Sequence, residues 1–252
     1  MSMIRIPEIV VPGKRLGRHI DSRVAAHRAS GGPPQMAPAV VSVTHLSSGL
    51  PLDQQDTSAC TAHALGGALN TMPHWKPGQA TIGETQVYEV YSREEQDLGA
   101  GAYPPNDDGG TGMAVCQAGI ELGYCSDFQS TTDVHEALLA LVIRPVITGI
   151  DWYPAFDAPD ANGHVKLVPG QQPRGGHEIC AVAIDAVEEL VWFPNSWGLS
   201  FGVPLDAAGI PGGCFSMSFA DWETLLGQQG DVTVPRSAPG WKAPDTPKER
   251  PS

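Results

Sequence analysis

The chain changes character near Pro145. Before it, four stretches carry helical signals. Residues 60–69 are rich in Ala and Leu, Gly83–Gln96 places Val87, Val90 and Tyr91 on one apolar stripe, Met113–Leu122 closes on Gly123, and Asp133–Leu141 has Thr132 or Asp133 as its cap. After it, β-rich runs take over. Pro145–Ile150, Glu178–Asp185, Glu189–Phe193 and Gly213–Phe219 read as strands, the middle two as a pair. Asp221–Leu226 reads as a short helix, and Asp231–Val234 as an edge strand. Helices first and strands afterwards indicate an α+β fold of two packed lobes, with no internal repeat.

Three divisions follow. Residues 1–38 form an arm that is basic in part (Arg5, Lys14, Arg15, Arg18, Arg23, Arg28) and ends in Gly-Gly-Pro-Pro, with a short helix expected near 20–29. Its composition leaves two readings open: a disordered or surface-wrapping extension, or a segment that docks on a partner or covers a groove. Residues 39–234 form the body, opening on the β-rich Val40–His45. Residues 235–252 are Pro- and charge-rich and read as a disordered tail.

A chain of 252 residues can bury one large core. Its net charge of −13 repels phosphate backbones and anionic lipid, so neither nucleic acid nor a membrane is expected as a partner. No 18-residue apolar run is present, and the first residues lack the apolar segment and cleavage site of a secretory signal. The expected location is the cytoplasm where the chain is made. The cysteines are Cys60, Cys116, Cys125, Cys180 and Cys214; none forms a CxxC pair, so no metal or other cofactor is implied, and free thiols are expected.

The chemistry begins at Pro51–Leu69. The segment is polar up to Ala59 and helical from Cys60, with Thr57 or Ser58 as candidate N-caps. That puts the Cys60 thiol in the positive field of a helix start, where its pKa should fall. Gln54, on the loop feeding the helix, can aim its amide at an oxyanion, which points to acyl transfer. A small cysteine packed in a core helix is the competing reading. Two later stretches weigh against it. Arg174-Gly-Gly-His177 puts a histidine at the mouth of an apolar strand, and the next strand ends in Asn195-Ser-Trp197-Gly. If these strands are antiparallel neighbours, the Asn195 carbonyl accepts the His177 N–H and fixes its tautomer.

On these residues the chain resembles the papain-like cysteine peptidases over about residues 40–230. Gln54 and Cys60 are separated by five residues as in that family, His177 starts a strand, Asn195-Ser196-Trp197-Gly198 follows, and the order is the family's. Short phrases (Leu16-Gly-Arg-His19, Val41–His45, Tyr103-Pro-Pro105, Arg174–Glu178) are similar to papain-like proteins of actinobacteria and their tailed phages. The resemblance implies Cys60 as nucleophile, His177 as base and then acid, Asn195 as its orienter, and the Gln54 amide with the Cys60 N–H as oxyanion hole. Asp108-Gly109-Gly110 matches a cleft-lining glycine pair, so Gly109 and Gly110 would bind an extended peptide. Trp197 would shield the His–Asn bond at the edge of that substrate site. Ser58-Ala-Cys-Thr61 departs from the family's Gly-Ser-Cys-aromatic pattern.

The implied function is hydrolysis of peptide bonds in a peptide or protein. Two alternatives are a structural or binding protein of a phage particle, contacting other virion proteins through the arm, and an amidase acting on cell-wall peptide. His63 is expected to be structural. His19, His27, His45, His74, His135 and His164 are expected at the surface, and Cys180 in the core. Asp107 and Asp108 read as a solvated turn, and Trp152 and Tyr153 as cleft lining or core cap.

Overall fold

The computed structural model describes residues 15–21, 40–49 and 51–238. The helix expected near 20–29 and most of the tail lie outside these residues. The elements are β1 (Val43–Thr44), α1 (Cys60–Leu69), α2 (Glu84–Asp97), α3 (Gly112–Glu121), β2 (Cys125–Thr131), α4 (Val134–Ile143), β3 (Val146–Trp152), β4 (Gly175–Ala181), β5 (Ala183–Asp185), β6 (Leu190–Pro194), β7 (Val203–Leu205), β8 (Ile210–Ser218), α5 (Phe219–Gln228) and β9 (Asp231–Ser237).

Two antiparallel sheets organise the body. One has the order β2-β9-β3-β4 and the other β1-β5-β6-β8-β7. One apolar cluster packs the α1–α3 faces (Leu65, Leu69, Val87, Val90, Tyr91, Val115) against Ile147, Cys180 and Val182. A second fills the space between the sheets, α4 and α5, with Trp152, Phe193, Phe215 and Trp222 at its centre. The α+β, two-lobed expectation stands, with strands and helices more interleaved than expected.

Capping follows local chemistry. The Asp133 side chain accepts from the Glu136 N–H and starts α4; Ser218 does the same for α5 through the Asp221 N–H. For α1 neither expected cap is used. The N-cap is Ala59, with no side-chain bond; the Thr57 hydroxyl donates instead to the Gln54 carbonyl, and the Ser58 N–H donates to Asp107.

Three strand expectations are corrected. The run Glu178–Asp185 is two strands: β4 pairs with β3, and β5 pairs with β6 in the other sheet. The chain changes sheets at Val182, whose N–H donates to the Trp192 carbonyl. β9 is an interior strand between β2 and β3, and it runs through Pro235 to Ser237, into the residues read as tail. β2 carries no clear alternation and was not expected at all; its pairing with β9 supplies what its sequence does not.

Candidate active site

The change of sheets at Val182 builds the site. His177 lies on β4 in one sheet, and Asn195 follows β6 in the other. They were expected to meet as neighbours in one sheet, and instead they meet across the junction. His177 Nε2 lies 2.8 Å from Asn195 Oδ1, and both residues are buried. The Asn195 oxygen also accepts the Ser196 N–H. An amide oxygen can only accept, so the imidazole Nε2 carries the hydrogen. The Trp197 ring lies 5.0 Å from the imidazole at 32°, and the Trp152 ring stands edge-on at 4.9 Å. Both indoles pack against the imidazole. Trp152 was read as cleft lining or a cap; it is fully buried against the histidine.

Cys60 is the first residue of α1 and is fully buried. Backbone hydrogen bonds from Glu178, the residue after His177, and from Gly17 of the arm reach its sulfur. The thiol therefore sits beside the start of β4. The expected fall in its pKa is overturned: burial pushes it up to about 12, and Glu178 and Glu94 add to the rise. Desolvation of a thiolate outweighs a helix start whose field acts over one turn. The arm takes part in that burial through Gly17.

Residues 15–21 run through the groove between the lobes. Gly17 accepts from the Gly110 N–H at 2.8 Å, the His19 N–H donates to the Gly110 carbonyl at 2.5 Å, and the Arg18 N–H donates to the Gly176 carbonyl at 3.0 Å. The Arg15 carbonyl accepts from Gln54 Nε2 at 3.1 Å, and Arg15 pairs with Asp107 at 2.8 Å. The Gln54 amide also donates to the Thr57 carbonyl, while its Oε1 accepts from Ser196 Oγ at 2.7 Å. Gln54, Cys60, Gly110 and the β4 strand of His177 thus all face one extended segment of the same chain. The group that segment turns to the sulfur is a backbone N–H, and the carbonyl it gives to Gln54 belongs to Arg15, two residues away.

Two residues of the glycine loop are shaped for this. A Cβ on Gly109, whose φ is +85°, would fall 1.8 Å from the Gly17 carbonyl oxygen, and one on Gly110 would fall 1.9 Å from Glu94 Oε1. Glu94 and Glu95, side by side on α2 and buried, hold the loop from behind. Glu95 accepts the Asp108 and Gly109 N–H groups, and Glu94 accepts the Thr111 N–H and the Thr61 hydroxyl. Burial raises Glu94 to about 8.

Other expectations sort as follows. His63 is structural, with contacts to the Ala59 carbonyl and Glu84. Cys180 packs in the core, and the five cysteines are free thiols. His19, His45 and His74 are buried, contrary to expectation; His19 and His45 each meet a backbone carbonyl. His135 is exposed, His164 half-buried, and His27 lies outside the described residues. Asp107 is no solvated turn: it takes the Ser58 N–H, the Tyr91 hydroxyl and Arg15. Sequence reasoning missed Glu94, Glu95, Ser196 and Arg18 as builders of the site. Arg18 and Ser196 lay in phrases already marked, and nothing in those phrases indicates where either side chain goes.

The fold so defined is that of the papain-like cysteine proteases. Xylellain, a cysteine protease from Xylella fastidiosa, superposes with a TM-score of 0.64 at 16% identity, over 91% of this chain and 99% of that one. The bromelain protease of Ananas comosus gives 0.53 at 13%, over 75% and 94%. Digestive procathepsin L 3 of Tenebrio molitor gives 0.55 at 14%, over 83% and 74%. No protein-family model matches the sequence, and no curated protein matches it.

Proposed function

We propose that this chain is a cysteine peptidase that hydrolyses peptide bonds through Cys60, His177 and Asn195, held latent by its own residues 15–21. The observation that carries the reading is the convergence on one groove of the Cys60 helix start, the His177–Asn195 pair and the Gln54 amide, with an extended peptide already laid along it. Fold similarity to known cysteine proteases supports it.

With the arm displaced, His177 Nδ1 takes the thiol proton and the sulfur adds to a substrate carbonyl carbon. The oxyanion is met by the Gln54 amide and the Cys60 N–H. Collapse returns the His177 proton to the leaving amine, and water then hydrolyses the thioester by the same residues. The partner is accordingly a peptide or protein in extended conformation, bonded to Gly110 as a strand is.

The test is digestion of an unstructured protein by the full chain and by Gly17→Ala, which is expected to loosen the arm. Cleavage that appears in Gly17→Ala and is lost on adding Cys60→Ala or His177→Ala is the expected result. Cleavage that survives Cys60→Ala would refute the assignment.

A further inference from the structure

Arg18 is buried to the tip of its side chain. Its Nη2 donates to Asp231 Oδ2 at 2.5 Å and to the Gln229 carbonyl at 2.7 Å. Glu178 and Asp151 add their attraction. The hole it fills is walled by residues without side chains. A Cβ on Gly149 would fall 2.2 Å from Arg18 Nε, and one on Gly112 would fall 2.9 Å from Glu178 Oε1.

Arg18 leaves acceptors of the pocket unused, and its own Nε and Nη1 are buried there with no hydrogen-bond partner. Both Glu178 oxygens and Asp231 Oδ1 are buried with no hydrogen-bond partner. Burial, chiefly, holds both carboxyls above the ordinary range, with Asp231 repelling Glu178 and Asp21 repelling Asp231, and a cation relieves that cost. The cation seated there is a guanidinium, and among the described residues no group of three or more His, Cys, Asp or Glu side chains is arranged to hold a metal ion.

The pocket is also next to the chemistry. Gly17, before Arg18, hydrogen-bonds the Cys60 sulfur, and Glu178 follows His177. A substrate must displace the arm from this groove. It leaves two buried carboxylates unpaired unless it brings a cation of its own.

We propose that Asp231, Glu178 and the Gln229 carbonyl form a specificity subsite for an arginine or lysine side chain of the substrate, within two residues of the scissile bond. Arg18 occupies it as the latent chain's own substitute. The proposal rests on the peptidase reading and deepens it.

Two measurements test it. The first needs no catalysis. In full-length Arg18→Ala the pocket is empty, and agmatine, a small guanidinium, should raise the melting temperature with dose. N-butylurea, uncharged, should not, and Arg18→Ala/Asp231→Asn should not respond to agmatine. Arg18→Met serves the same purpose if the alanine variant does not fold. The second uses Gly17→Ala, with the pocket intact, and peptides varied at each position flanking the cut bond. Arg or Lys at one position should exceed Leu in kcat/KM by at least about 30-fold, as for a buried charge pair. Asp231→Asn should erase that ratio while the Leu peptide is still cut. Cleavage indifferent to basic residues, or no agmatine response, would overturn the subsite and leave the peptidase reading standing. Agmatine stabilisation without cleavage of any peptide would overturn the substrate assignment together with that reading.

Discussion

Gly17→Ala is the sharpest perturbation of the latent state. Its Cβ would fall 1.9 Å from the Ser58 carbonyl oxygen, with the Ser58 carbonyl carbon at 2.6 Å and Cα at 2.7 Å. All three are backbone atoms of the turn that enters α1, so no side chain can swing away. Besides the side-chain bonds of Arg15, Arg18 and His19 to Asp107, Asp231, the Gln229 carbonyl and the Asp108 carbonyl, four hydrogen bonds hold the main chain of the segment: those of Arg15 to Gln54, Gly17 and His19 to Gly110, and Arg18 to Gly176. At about 1 kcal/mol net each they contribute about 4 kcal/mol, against which stands the entropy of ordering the arm. Overpacking by one methyl costs about 1–3 kcal/mol, so the closed form loses much of its advantage. Each 1.4 kcal/mol is a factor of about ten, so the open fraction should rise by a factor between about 5 and about 140.

The assay is iodoacetamide labelling of the full chain at pH 7.5, read at Cys60 by mass spectrometry. When closing outpaces labelling, the rate follows the open population. The other buried cysteines are internal controls, and Gly227→Ala, with no atom near its Cβ, is the control variant. Closure also has a pH sign. The thiol is raised in the closed form from its ordinary 9.0 to about 12, so closure binds a proton. Its advantage is complete below about pH 9 and is lost as pH rises toward 12, and the gap between wild type and Gly17→Ala narrows over that window. If Gly17→Ala labels Cys60 at the wild-type rate with its thermal unfolding unchanged, the arm does not guard the thiol and the argument fails.

Three further outcomes are expected. Glu94 is raised from 4.5 to about 8, so its contribution to stability is complete below pH 4.5 and declines as pH rises through 8. Glu94→Gln should flatten the stability profile in that window by a few kcal/mol, read from urea midpoints at several pH values. Asn195→Ala in the Gly17→Ala background should lower kcat by about 10²-fold or more, with the labelling rate of Cys60 changing less, because it frees the imidazole from its fixed tautomer. Trp222→Ala, which removes a fully buried indole packed edge-on to Phe193 and bonded to Thr148, should cost about 3–5 kcal/mol in chemical denaturation.

The local devices were legible in the chain. Helix α2 announced itself by the stripe Val87, Val90, Tyr91, and α4 by the Asp133 cap, because both signals act within a few residues of their cause. The catalytic candidates were legible for the same reason: Gln54 and Cys60 share one loop and helix start, and Asn195-Ser-Trp-Gly is a contiguous motif. Long-range pairing was not. Nothing in Asp231–Ser237 says that β9 lies inside a sheet, and β2 has no alternation to betray it, because a strand's place depends on its neighbours.

The sequence by itself determined which residue types could do the chemistry, and in what order along the chain. Tertiary structure decided their state. A thiol at a helix start should ionise easily, and it does not, because residues more than forty positions upstream lie over it and exclude water. The arm's composition left open whether it wraps the surface or covers a groove, and its Arg18 is buried against Asp231, 213 positions away. Desolvation and buried charge pairing depend on which distant segments come together in space, and no local pattern of residues encodes that.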